Sequence, residues 1–383
     1  MHCKTATHAA LLALGCGGIS RPPTDHIEAS FTIAPDSTNA IASISHFDLL
    51  GCRLLVADWR SSRLWLLSAT GAGFVAYPIG TPGDGPGEIR RPRAVAFGPL
   101  DTNLYTMDWG RRRLLRFAPS GETVSDRSLP GGVAQHGMIG RFMVLPDGRI
   151  LDYWLTEPSL GWLVPSATLD TGHLISVIEA NGSLATYGWG TPAIPHSKDA
   201  YTLRQLLQMG DISREGDTLF VLRNTTGVVE LFSLSDTGRA PARQIPLHVY
   251  RRIPAPRETG TSVTKNGETK RSGTLTIDFV TTAFSVDHRR LYVISRLNTG
   301  TPQLPWPEEA LVVYDHNGRI LREATLRTRN SRAIRVSPGG TIVVLAHPDN
   351  DPAAEQVLNV LPPIFPDRAH ACPWEPQSPS LSP

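Results

Sequence analysis

Two stretches of this chain repeat one another at an offset of 50 residues. Leu54-Leu55-Val56-Ala57-Asp58-Trp59 runs on through Arg63-Leu64-Trp65-Leu66-Leu67 to Thr70-Gly71. Leu104-Tyr105-Thr106-Met107-Asp108-Trp109 runs on through Arg113-Leu114-Leu115-Arg116-Phe117 to Ser120-Gly121. Asp58 falls on Asp108, Arg63 on Arg113 and Gly71 on Gly121, each 50 residues apart. Either copy reads as an apolar strand ending at Asp-Trp, a turn, a second strand and a Gly-containing turn, where glycine enters positive φ without a Cβ clash. A hairpin of this kind cannot bury its faces alone. It must stack on further copies of itself.

Further copies are present in part. The strand-then-turn half recurs at Ile175–Gly182, Leu231–Gly238 and Leu311–Gly318, and the turn-then-strand half at Pro146–Leu151, Glu215–Val221, Asp287–Val293 and Pro338–Val344. Counting turn-then-strand units gives six, starting near 51, 101, 146, 215, 287 and 338. The sixth lacks the Gly turn and ends in Gln356-Val357-Leu358-Asn359-Val360. This pattern predicts an all-β fold, a six-bladed β-propeller with four-stranded antiparallel blades, covering residues 27–365. Phe31-Thr32-Ile33 is expected to complete the last blade from the other end of the chain. Two regions break the period, 153–210 and 250–274, and both are expected to form loops on one face, where binding residues concentrate.

Charge excludes one function class. Lys+Arg 37 against Asp+Glu 35 gives +2, with no long run of one sign, so there is no footprint for nucleic acid. The densest basic cluster, Arg111-Arg112-Arg113, reads as a solvated strand edge.

The N-terminus reads as an export signal over residues 1–16. His2 and Lys4 precede a short apolar stretch, Ala9–Leu14, too short to span a bilayer. Gly15-Cys16 resembles the lipobox of bacterial lipoproteins, which implies lipidation at Cys16 and membrane attachment through that lipid; Ala13 stands where Leu is usual. The expected location is therefore the cell envelope, lipid-anchored or periplasmic. Cys52 and Cys372 remain as an even pair in an oxidising compartment, at two places that a closed ring brings close, and form a candidate disulfide. The Pro- and Ser-rich segment 366–383 is expected to be a disordered tail.

Gly83-Asp84-Gly85-Pro86-Gly87-Glu88-Ile89-Arg90-Arg91-Pro92, followed by Arg93–Phe97, resembles the opening of an NHL repeat, and Leu104–Asp108 with Arg113–Phe117 resembles its second half. The Gly-Pro-Gly-Glu form is similar to that of bacterial six-bladed propeller proteins, many of them lipoproteins. The resemblance covers residues 50–130, and the later blades lack the glycine signature. It implies the propeller fold. A phosphate-cradling loop would need a helix after the glycines; here Pro92 and an apolar strand follow, so the glycines are expected to shape a crossing between blades, with Glu88 as a partner for buried N–H groups.

Candidate functional residues follow from the repeat. Trp59 and Trp109 occupy equivalent positions beside Arg60 and Arg111, and Trp and Arg are enriched at binding hot spots. They are the candidate ligand-binding residues, for a protein, peptide or carbohydrate, although Trp at a repeat position also suits packing between blades. Asp58 and Asp108, with Asp152, form a candidate carboxylate ring for a hard cation such as calcium. The other reading of these carboxylates is as acceptors for backbone N–H groups at their own turns. No other cofactor is expected. The histidines share no repeat position, and no metal-binding His spacing or Gly-x-Ser-x-Gly elbow occurs. A non-catalytic binding scaffold is the leading expectation, with a metal-dependent hydrolase or lyase sited in a central channel as the alternative.

Overall fold

The computed structural model describes residues 25–35, 41–70, 73–99, 102–130, 138–155, 175–186, 189, 210–224, 227–236, 238, 240–248, 257–265, 268–276, 281–297, 308–347, 355–362 and 364–365. Residues 1–16 with Cys16, expected to be an export signal, and residues 366–383 lie outside them.

The described residues are all β. Blade 1 is β3 (His46–Leu50), β4 (Arg53–Asp58), β5 (Arg63–Thr70) and β6 (Gly73–Ile79). Blade 2 is β7 (Pro92–Phe97), β8 (Leu104–Asp108), β9 (Arg113–Phe117) and β10 (Thr123–Ser128). Blade 3 is β11 (Met138–Val144), β12 (Ile150–Leu155), β13 (Ile175–Ile178) and β14 (Leu184–Thr186). Blade 4 is β15 (Gly210–Glu215), β16 (Thr218–Arg223), β17 (Val228–Ser233) and β18 (Arg243–Pro246). Blade 5 is β21 (Thr281–Asp287), β22 (Arg290–Arg296), β23 (Glu309–Asp315) and β24 (Ile320–Leu326). Blade 6 takes β25 (Arg329–Val336), β26 (Ile342–His347) and β27 (Val357–Leu361) from the end of the chain and β2 (Phe31–Ile33) from its start.

Within each blade every strand is antiparallel to its neighbours. The first strands of successive blades touch one another all the way round, β25 meeting β3 to close the circle. The core is divided in the same way. Six apolar clusters each draw on two adjacent blades, so every blade shields its neighbour from water. Leu54 and Val56 face blade 6, for example, while Leu55 and Ala57 face blade 2, the period-2 alternation of a strand buried on both sides.

Phe31 pairs with Val360 and Ile33 with Leu358, as the sequence led one to expect. This pairing also explains the missing glycine turn of the sixth unit. Its fourth strand comes from the other end of the chain, so no hairpin links the third strand to the fourth. Two features differ from expectation. The 250–274 region is not simply loop: Arg257–Lys265 pairs with Glu268–Thr276 in a two-stranded hairpin (β19, β20) on the connection from blade 4 to blade 5. Alternating Thr and Val on one strand and Thr and Leu on the other give both enough β-propensity to pair despite their polarity. Blade 5 also gains a short parallel fifth strand, β1 (His26–Ile27), on its outer edge.

The Gly83–Glu88 segment forms the crossing from blade 1 to blade 2, wrapped round its own carboxylate. Glu88 Oε2 accepts the Gly85 N–H at 2.6 Å, and a Cβ on Gly83 (φ 156°) would lie 2.0 Å from that oxygen. Gly83→Ala is expected to cost about 2 kcal/mol in a denaturant titration. Glu88→Ala in the same background should recover part of that loss by removing the clash; no recovery would place the cost in the backbone alone.

Candidate functional site

Strand direction sorts the connections between the two ends of the ring. At one end lie the first-to-second and third-to-fourth turns, which are short, the longest running over residues 234–242. At the other end the strands that flank the second-to-third connections and the crossings between blades stop and start, among them those on either side of 156–174, 187–209, 247–280 and 297–308. The 250–274 break falls within a connection that leaves and re-enters the ring at that end. The 153–210 break is not simply loop, because it also contains β13 and β14, whose joining turn at 179–183 lies at the opposite end. Asp58 and Asp108 end their strands at the long-connection end, and Trp59, Arg60, Trp109 and Arg111 occupy the turns that follow.

The channel is lined by the first strands, whose inner edges have no neighbouring strand to take their N–H groups. Buried donors of this kind need acceptors. Side chains from the preceding blade supply them. His46 Nδ1 accepts the Val95 N–H at 3.3 Å and Asp48 Oδ2 the Phe97 N–H at 2.9 Å. Across the ring, Asp211 Oδ2 accepts the Phe284 N–H at 3.0 Å and Ser213 Oγ the Val286 N–H at 3.0 Å.

Each of the two aspartates is also met by an arginine from the blade before it. Arg141 Nη1 donates to Asp211 Oδ1 at 3.3 Å and to the Phe284 carbonyl at 2.8 Å, joining blades 3, 4 and 5. Arg335 Nε lies 3.6 Å from Asp48 Oδ1, joining blade 6 to blade 1, and its guanidinium stands over the Phe47 ring at 5.4 Å. The ring thus carries one arrangement twice, three blades apart. Burial pushes the Asp48 carboxyl up, opposed by Arg335 and by hydrogen bonds from backbone N–H groups. Burial, with Arg141, pushes Arg335 down to about 10 against the pull of Asp211 and Asp48. This quartet is charge-balanced and committed to the scaffold. Its carboxylates are engaged by guanidinium and backbone N–H groups rather than turned toward a shared open position for a cation.

The sequence candidates land in different environments. Asp58 Oδ2 accepts the Ala42 N–H at 2.7 Å, and Oδ1 accepts from Ser43 Oγ at 3.0 Å and from the N–H groups of Arg60 and Ser61 at 3.1 Å each. Asp108 does the same work in blade 2, taking the N–H groups of Arg90 at 2.9 Å, Arg91 at 2.8 Å and Gly110 at 3.0 Å. Both hold the crossing that enters their blade. Asp152 is fully buried between blades 2 and 3 with neither oxygen hydrogen-bonded, and burial pushes its carboxyl up to about 8. The three are not brought together: among the described residues no group of three or more His, Cys, Asp or Glu is placed to hold a metal ion.

Trp59 is 41% exposed, with the Arg60 guanidinium 5.6 Å from its ring centre and paired with Glu355 Oε1 at 2.5 Å. Trp109 is half-buried. Arg111 is turned inward, donating to the Glu88 carbonyl at 2.5 Å and lying 3.7 Å from Asp126. The 50-residue offset sets Trp59 on Trp109 but Arg60 on Gly110 and Arg111 on Ser61, so the basic neighbours are not equivalent: Arg60 joins an exposed aromatic–basic surface in blade 1, and Arg111 ties down the crossing into blade 2. Sequence reasoning passed over Glu309, buried between blades 5 and 6, where both carboxylate oxygens accept the Ser331 N–H at 3.2 and 3.0 Å and burial pushes the acid up to about 7. It also passed over the channel quartet, whose one sequence signal is a polar-x-polar start to the first strand at His46-x-Asp48 and Asp211-x-Ser213.

Cys52, in the first short turn of blade 1, is disulfide-bonded, and its partner lies outside the described residues. A Cys52–Cys372 pairing should appear as one linked peptide in non-reducing mass spectrometry, and Cys52→Ser should then cost about 3 kcal/mol. Two unlinked peptides would remove that pairing.

No family profile matches this chain. No curated protein matches it either. Among solved structures it is similar to a member of the DUF4221 family from Bacteroides vulgatus, at 10% identity over 88% of this chain and 97% of that one, with a TM-score of 0.54. A candidate exported protein from Bacteroides fragilis aligns at 14% identity over 88% of this chain and 96% of that one, TM-score 0.48. Virginiamycin B lyase from Staphylococcus aureus aligns at 12% identity over 85% and 96%, TM-score 0.43. The first likeness agrees with the class that the sheets and their closure define, a six-bladed β-propeller. At such identities it speaks for fold and not for activity.

Proposed function

We propose that this protein is a non-catalytic binding scaffold of the bacterial cell envelope, with NHL-like blades, that recognises a protein, peptide or carbohydrate at the long-connection end of its ring. The observation that carries the reading is the segregation of the ring's ends: the strands that flank the long connections stop at one mouth, beside an exposed Trp59–Arg60 pair, while the channel beneath is occupied by side chains bonded to the scaffold itself. Aromatic and guanidinium groups on a rigid frame suit recognition at low entropic cost.

The immobilised full chain would be probed with an array of glycans and peptides. Any ligand that takes this surface should bind at least about ten-fold more weakly to Trp59→Ala, with folding unchanged. Equal binding by both proteins would end the assignment of this mouth. Export and lipidation rest on residues 1–16: Cys16→Ser should release the protein from membranes, and continued association would count against a lipid anchor. The hydrolase or lyase alternative needs a metal in the channel, where the quartet's carboxylates are already engaged by arginine and backbone donors. Stoichiometric calcium or zinc in the purified protein would favour it.

A further inference from the structure

The fold divides the basic run Arg111-Arg112-Arg113. Arg111 lies 3.7 Å from Asp126 and donates to the Glu88 carbonyl, and Arg113 donates through Nε to Asp126. Arg112, between them, is exposed, and its side chain has no hydrogen-bond or ion-pair partner among the described residues. Arg91, on the crossing into blade 2, is exposed and unpartnered in the same sense. Arg90 beside it meets Asp84 at 3.4 Å, both side chains well exposed. Such a pair is weak in water.

These side chains stand on backbone held from several sides. Asp108 accepts the N–H groups of Arg90 and Arg91, and the Arg91 carbonyl accepts the Trp109 N–H at 3.0 Å. Ser62 Oγ donates to the Arg90 carbonyl at 2.5 Å, which ties the crossing to the turn of blade 1 that carries Trp59 and Arg60. The Arg112 carbonyl accepts the Leu129 N–H at 2.9 Å. Arg112 also sits at φ 56°, a left-handed conformation that strains a residue with a Cβ and suits glycine. The turn itself would be more stable with glycine. What arginine adds there is a cation in solvent.

We propose that Arg91 and Arg112, with Arg60 and Trp59, form a binding surface for an acidic polysaccharide, a chain of sugars bearing carboxylates. This names the ligand class of the long-connection mouth and rests on the assignment of that mouth to binding. Unpaired guanidiniums on a fixed backbone call for an anion, and their planar fork matches a carboxylate. The aromatic content of the mouth selects among anions. Trp59 is the one exposed large hydrophobic there among the described residues; the other four, Val75, Tyr77, Val124 and Leu321, lie on the outer strands β6, β10 and β24. A protein partner needs a dehydrated apolar centre under its anchors. A single indole among cations provides no such centre. It does offer a flat, electron-rich face to the C–H side of a sugar ring while the guanidiniums take the carboxylates.

The purified full chain would be titrated with polygalacturonate, alginate and hyaluronate, and with dextran, a polyglutamate peptide and a single-stranded oligonucleotide for comparison. At least one of the three acidic glycans should bind, more weakly as salt screens the charges. Arg91→Gln/Arg112→Gln should weaken that binding at least about ten-fold. Arg319→Gln, in a short turn at the opposite end of the ring, should leave it unchanged. Arg112→Gly should melt higher than the parent yet bind less, whereas a purely structural arginine would melt lower on removal. Binding of none of the three glycans, equal binding of dextran, tighter binding of the peptide or the oligonucleotide, or an affinity that survives the double substitution would each overturn the inference. A ligand that needs Trp59 but ignores both arginines would overturn it while leaving the mouth its binding role; one that ignores Trp59 as well would end both.

Discussion

Arg141→Met is expected to cost about 3–5 kcal/mol of stability, among the largest effects of any single substitution in this chain. The side chain holds the Asp211 carboxylate and the Phe284 carbonyl together, so its removal leaves a buried charge and a buried acceptor without their donor. Asp211→Asn in the same background removes the stranded charge and keeps an oxygen for the Phe284 N–H. The double variant should therefore recover much of the loss. A double-mutant cycle in urea would read the coupling. A loss under about 1 kcal/mol for Arg141→Met, the range of exposed ion pairs, would mean that the channel is wet at this level.

Asp152 provides the second large effect, with the opposite sign. Burial disfavours the charged form and pushes its carboxyl up to about 8, far above the ordinary aspartate value of 3.8. Below about pH 4 the group is protonated whether the chain is folded or not. Between there and about pH 8 the unfolded chain ionises it and the folded chain does not, so the stability present at low pH is lost progressively as pH rises. Each unit of that gap is worth about 1.4 kcal/mol, which places the penalty at pH 7 on the order of 4 kcal/mol. Asp152→Asn, close in shape and never charged, should match the parent near pH 4 and exceed it in stability by roughly that amount at pH 7. Parallel stability curves for the two proteins from pH 4 to pH 8 would show that Asp152 is solvated and ionised in the fold.

The architecture was legible because a propeller writes its period into the chain. The Asp-Trp and Gly-turn spacing of blades 1 and 2 defines the unit, and Phe31–Ile33 could be assigned to the last blade because that blade lacked a partner strand. The 257–276 hairpin was not legible, since polar, Thr-rich strands carry no alternation of burial that separates them from loop. Site residues were read less well, for a physical reason. The search favoured residues that recur, yet a repeat position preserves backbone geometry and not environment: Trp59 is exposed while Trp109 is half-buried, and Arg111, which falls on Ser61, is spent on Glu88 and Asp126. The channel quartet depends on which blades face each other across the ring, a relation that distance along the chain conceals.

The joining of the two ends of the chain in blade 6 has a kinetic consequence. Thr32 Oγ1 reaches Asn359 Oδ1 at 3.0 Å across 327 positions of sequence. A polypeptide emerging N-terminus first, from a ribosome or a membrane pore, has to keep β2 waiting until β27 has appeared. Until then one flank of blade 1 and one of blade 5 stand open to water, since the clusters that cover them need residues 333–361. Completion of the circle is therefore a late, long-range event with a high entropic barrier. The same latch that makes the finished ring hard to pry apart leaves the unfinished one exposed to aggregation for most of its synthesis.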